Sequence, residues 1–143
     1  MAGFQRLSGR DSQNIEASID GAVTTSTAVG DLLMRSTTTG KLIAATSSAT
    51  VTLVSGGGIV QKATTSSDST VDIKLIDYNT EYTVETTNNS DTDHNYMFMA
   101  LTDTNTVNNT GTDDVTNGVF MQTGIIGATT DKKIKGRFVR TLS

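Results

Sequence analysis

Residues 70–76 read Thr-Val-Asp-Ile-Lys-Leu-Ile. Apolar and polar side chains alternate at every step, the period of a strand with one face in a core and one in water. Val71, Ile73 and Leu75 are expected inward, and Thr70, Asp72 and Lys74 outward. Immediately downstream, Asp77-Tyr78-Asn79 is a turn sequence. Glu81-Tyr82-Thr83-Val84-Glu85 then alternates again, with Tyr82 and Val84 inward.

The same texture extends in both directions. No segment carries a sustained 3.6-residue apolar period, and the serines of Asp11–Ile19 argue against the one helix candidate. Short apolar runs lie between polar punctuation instead: 15–19, 30–35, 41–45, 50–54, 59–63, 96–101, 117–121, 124–127 and 134–139. Gly56-Gly57-Gly58 reads as a sharp turn between two of these strands. Residues 86–93 and 103–116 are polar loops, the second with a short strand near Val107. The expectation is an all-β chain, a small β-barrel or β-sandwich of short antiparallel strands with long polar loops. Residues 1–13 precede the first clear strand and read as an extended N-terminal arm. Residues 14–143 read as one β domain, and a shift of composition places any lobe boundary near 63–69.

Composition agrees with that class. The 143 residues include 27 Thr and 13 Ser, more than a quarter of the chain, and no Pro, Cys or Trp. Net charge is only −4, so the chain lacks the high-charge half of a disorder signature. The hydroxyl residues are expected on outward strand positions and in the loops. Zero cysteines exclude disulfides, thiol catalysis and cysteine zinc sites. No apolar run approaches a membrane span, and Met1–Arg10 lacks the apolar stretch of a signal peptide.

The chemistry-bearing residues are few. His94 is the single histidine, in a polar loop without a Gly-x-Ser-x-Gly elbow anywhere, and reads as a surface histidine. Asp91, Asp93, Asp103, Asp113 and Asp114 sit in the two polar loops without the spacing of a calcium loop. Glu81 and Glu85 have no aromatic platform beside them for sugar chemistry. No cofactor or metal is expected, and no enzyme. The pI of 4.7 argues against general nucleic-acid binding. Charge is nevertheless segregated. Residues 63–131 hold eleven acids and one lysine, Lys74, whereas 132–143 hold Lys132, Lys133, Lys135, Arg137 and Arg140 and no acid. The distribution reads as a solvated acidic surface with a basic last strand, and alternatively as complementarity between copies, basic end to acidic middle.

Three stretches in the first half carry a family resemblance: Gly-Asp-Leu-Leu at 30–33, Gly-Lys-Leu-Ile-Ala-Ala-Thr at 40–46 and Gly-Gly-Ile-Val-Gln at 57–61. In the second half, residues 70–76, Glu-Tyr-Thr-Val-Glu at 81–85 and Lys-Lys-Ile-Lys-Gly-Arg-Phe at 132–138 continue it. Over residues 20–140 this order of elements resembles the small β-rich capsid decoration, or cement, proteins of tailed bacteriophages. The resemblance implies a non-enzymatic virion component, assembled in the bacterial cytoplasm and seated on the outer capsid surface. Its partners would be the major capsid protein and further copies of itself, a trimer being the favoured oligomer, with no nucleic acid and no membrane. Two alternatives stand beside it: a tail- or fibre-associated module that binds host glycans, and a tail-tube subunit. For the decoration reading, Phe4, Arg6, Leu7 and Arg10 on the arm are the expected shell anchors, because aromatic and arginine residues are enriched at interface hot spots. Lys132, Lys133, Lys135, Arg137 and Arg140 form the second expected interface.

Overall fold

The structure is a computed structural model that describes residues 3–110 and 113–140. The chain is all-β, built from two sheets that each enclose a core of their own. The smaller sheet takes its strands from residues 14–75: β2 (Asn14–Ser18), β3 (Leu32–Arg35), β4 (Leu42–Ala44), β5 (Gly58–Val60) and β6 (Thr70–Leu75). They pair antiparallel in the order β2-β6-β5-β3-β4. Ile19, just past β2, bridges Leu42 of β4, so this sheet curls until its two edges touch. Inside the curl lie Ile19, Leu33, Leu42, Val60, Val71 and Ile73, all buried. The alternation at 70–76 is realised at Val71 and Ile73, but Leu75 is 42% exposed, a correction to the inward expectation. It stands opposite Gly58, which has no side chain to cover it, and Ile76 packs instead against the second core.

The larger sheet comprises β1 (Gln5–Ser8), β7 (Glu81–Thr86), β8 (Phe98–Met99), β9 (Leu101–Asp103), β10 (Thr106–Val107), β11 (Phe120–Ile125) and β12 (Lys133–Phe138). Its order is β8-β11-β12-β7-β10-β9. Only Ala100 separates β8 from β9, so the chain itself joins the two ends of the sheet into a nearly closed barrel. β12 and β1 both register on Thr83, so they flank β7 on opposite edges. β10 pairs parallel with β7 on the edge that β1 uses, farther along at Glu85 and Thr86.

The sheets are fused through β3 and β5. Leu33 and Val60 point into the small core, whereas Leu32, Met34 and Ile59 point into the large one with Tyr82, Val84, Phe120 and Ile134. Two-sided burial explains why Leu32-Leu33-Met34 is a continuous apolar run and not an alternating one. Thr104 adds a tie between the sheets, its hydroxyl donating to Leu32 O at 2.7 Å and its carbonyl accepting from Leu32 N–H at 2.7 Å. Residues 63–69 join β5 to β6 within one sheet, and the chain changes sheets at 76–80.

Three local expectations are corrected. Residues 50–54 do not form a strand: Val51–Ser55 is a short helix, α1, whose first turn is capped by Thr50 Oγ1 accepting from Leu53 N–H at 3.4 Å. The cap and the burial of Ala49 and Val54 override the β preference of Val and Thr. The three glycines are a close approach and not a turn between strands. A Cβ on Gly57 would lie 1.8 Å from Leu33 O, so only glycine passes there. Within the expected arm, residues 4–8 are part of the fold: Phe4 N–H donates to Gly30 O at 2.8 Å, and β1 is hydrogen-bonded to β7.

Threonine is also not confined to the surface. Thr24, Thr27, Thr64, Thr80, Thr83 and Thr86 are buried. Thr24 Oγ1 accepts from Ala44 N–H at 2.8 Å, and the Thr27 and Thr64 hydroxyls pair at 2.8 Å. Buried hydroxyls with partners tie loops to strands at little desolvation cost.

Candidate functional site

Strand β12 carries the expected cations on one face. Ile134, Gly136 and Phe138 are buried, whereas Lys133, Lys135 and Arg137 point to the outside. Successive outward positions on a strand lie about 6.6 Å apart, so three cations form a straight stripe. Lys133 registers on Glu85 and Lys135 on Thr83, and Arg137 registers on Met121. Among the described residues only two ion pairs form, both on Asp11, so none of these three cations is ion-paired. Lys132 precedes the stripe in a left-handed conformation, φ 53°, that closes a 3-10 turn at Thr129–Asp131. Arg140 lies beyond it, its guanidinium 5.7 Å from the centre of the Tyr78 ring. Burial pushes the Tyr78 hydroxyl above its ordinary pKa.

The N-terminal candidates divide. Phe4 is 2% exposed, with its ring centre 5.1 Å from that of Phe138 and 5.5 Å from that of Phe120. As a core residue it cannot anchor the folded subunit to a shell, which corrects the expectation for that side chain. Leu7 remains 46% exposed, and Arg6 and Arg10 are exposed. In the register, Arg6 shares the inward face with Tyr82 and Gly136, whereas Lys135 shares the outer face with Thr83 and Gln5. Arg6 and Lys135 therefore lie on opposite sides of the larger sheet.

Arg6 and Arg10 instead line a groove between β1 and the β5–β6 pair. Its volume is about 250 Å³. The floor is apolar, from Phe4, Val29 and Tyr82, and the rim holds Arg6, Arg10, Lys74 and Asp11. Asp11 pairs with Lys74 and, at 3.7 Å, with Arg6; the Lys74 contact holds its carboxyl below the usual carboxylate range. Among the described residues Arg10 has no ion partner, so three cations face one carboxylate. Lys74 and Val29 were missed from sequence. Lys74 carried a signal, as the sole cation of 63–131, whereas Val29 carried none.

His94 ends a 3-10 turn at Thr92–His94, with Nδ1 buried and without a hydrogen-bond partner among the described residues. Beside it, the buried Gln122 amide donates to Asp91 O at 2.7 Å and Asn95 Oδ1 at 2.8 Å. The loop acids act as local caps: Asp113 Oδ1 accepts from Phe98 N–H and Asp114 Oδ1 from Asn117 N–H, both at 2.7 Å. Among the described residues no three His, Asp or Glu side chains are placed to hold a metal ion, and no helix is long and apolar enough to cross a membrane. Comparison with family models, curated proteins and solved structures finds no match.

Proposed function

We propose that this chain is a structural virion protein that decorates the outer surface of a tailed-phage head. It would stabilise the shell by bridging neighbouring major capsid subunits. One observation carries the reading: a rigid barrel strand, β12, presents Lys133, Lys135 and Arg137 in a straight row without ion partners among the described residues. Unpaired charge on a preorganised sheet favours an acidic partner surface and costs little ordering entropy on contact. The element order of residues 20–140 supports the partner's class.

Bridging adds stability by linkage, since the decorating chain binds the intact shell and not its separated subunits. Many weak contacts then act together through valency. The test mixes purified protein with undecorated heads and measures co-sedimentation and the temperature of DNA release. Binding is expected, with a raised release temperature. Occupancy should fall as salt screens the stripe, and Lys135→Glu with Arg137→Glu should reduce it further. Absence of binding, or occupancy indifferent to salt and to both substitutions, would overturn the reading.

A further inference from the structure

We infer that this chain associates with copies of itself head to tail, the Val115 loop of one copy entering the Arg6–Arg10–Lys74 groove of the next. The inference rests on the chain's own surfaces and not on the decoration reading.

The groove defines what it can hold. At about 250 Å³ it falls below the roughly 300–1,000 Å³ of small-molecule sites, so one aliphatic side chain with flanking backbone suits it better than a cofactor. Its apolar floor is accessible chiefly at Val29, which is 40% exposed between buried Phe4 and Tyr82. Its rim is cationic, and β1 pairs with no described strand other than β7. The fitting occupant is an apolar residue preceded or followed by carboxylates.

The chain carries such a segment. Val115 is 85% exposed, the most exposed large apolar side chain among the described residues, and follows Asp113 and Asp114 directly. Residues 108–118 are otherwise Asn, Asp, Thr and Gly, so Val115 is the one apolar side chain of that stretch. Hydrogen bonds from Phe98, Thr116 and Asn117 N–H to the Asp113 and Asp114 carboxylates tie down residues 113–117 and hold both charges beside the valine. The Asn117 amide pins the far side, donating to Ala49 O at 3.2 Å. Apolar knob and acidic flank therefore match apolar floor and cationic rim.

Groove and knob share no residue, so one copy can offer its knob to one neighbour and its groove to another, the heterologous arrangement inferred here. Rings or short chains follow, according to whether the rotation closes.

The symmetry supplies the test. Arg10→Glu disables the groove and Val115→Lys disables the knob; both side chains are exposed, and circular dichroism checks that the fold is kept. In sedimentation velocity the wild-type protein should form species larger than a monomer. Each variant alone should associate at least about tenfold more weakly, the scale of one hot-spot contact. Mixed one to one, the groove-disabled and knob-disabled chains retain a single good junction, so the mixture should stop at a dimer. A wild-type protein that stays monomeric at high concentration, variants that assemble like wild type, or a mixture that does not pair would each overturn the inference. Head binding is read separately, so a monomer that decorates heads would defeat this inference and leave the proposed function standing.

Discussion

Phe4 shows how far one residue's role can lie from its local sequence. Flanked by Gly3 and Gln5 and ahead of the first alternating run, it looks like part of an arm. Its partners, Phe120 and Phe138, are at the other end of the chain, and no local pattern announces a contact of that span. Phe4→Ala should destabilise the protein by about 3–5 kcal/mol, whereas Leu7→Ala, on an exposed side chain, should stay within about 0.5 kcal/mol. Denaturant midpoints distinguish the two. Tyr82 makes the complementary case, a core aromatic whose alternation was legible. Its hydroxyl accepts from Asp77 N–H at 3.0 Å, and burial holds its pKa above the ordinary tyrosine value. For an acid whose folded pKa is raised, the stabilising contribution is complete below the unfolded pKa, about 10, and is lost as pH rises through the folded value. Stability should therefore fall on the alkaline side. Tyr82→Phe should flatten that limb, leaving the smaller share from Tyr78, at the cost of one hydrogen bond near pH 7. Unfolding free energies from pH 7 to 11, with the 295 nm phenolate absorbance, check both points.

At the level of elements, strands with one wet face were the legible ones. β2, β6 and β12 alternate in burial, β7 alternates in sequence although Thr83 is also buried, and the pattern alone oriented Val71, Ile73, Tyr82 and Val84 correctly. Strands buried on both faces, β3 and β5, were found as apolar runs, but nothing local told which face meets which core. The helix at Val51–Ser55 was hidden because its residues favour strands and its cause, the Thr50 cap with Ala49 and Val54 buried, is tertiary. The stripe on β12 was legible as charge, whereas the groove depends on β1 lying against β7, a pairing no spacing reveals. Register also makes the stripe's lysines unequal. Lys133 stands opposite Glu85, so Lys133→Glu sets like charges across the strands and should cost a few tenths to about 1 kcal/mol. Lys135 stands opposite Thr83, and Lys135→Glu should leave stability within about 0.5 kcal/mol. Thermal unfolding at low salt should show the difference, and added salt should shrink it.

For the molecule as a whole, the question is whether two cores make one cooperative unit. Leu33 and Val60 serve the small core from the same strands that send Leu32, Met34 and Ile59 into the large one. Loss of either core frees backbone that both require, so the sheets should unfold together. The tyrosines make this measurable. All three, Tyr78, Tyr82 and Tyr96, lie after β6, so with no tryptophan present tyrosine fluorescence reports the larger sheet and its connections alone. Leu42 lies in the small core, fully buried and remote in sequence from every tyrosine. Leu42→Ala should cost about 2–5 kcal/mol by leaving a cavity there. If β3 and β5 couple the cores, tyrosine fluorescence and far-UV circular dichroism shift by the same amount and stay superimposable. An unchanged fluorescence midpoint beside a biphasic dichroism curve would instead make the small sheet an independent unit. Coincident curves would also account for how a chain with so few large apolar residues stays folded: its central strands are used twice, once by each core.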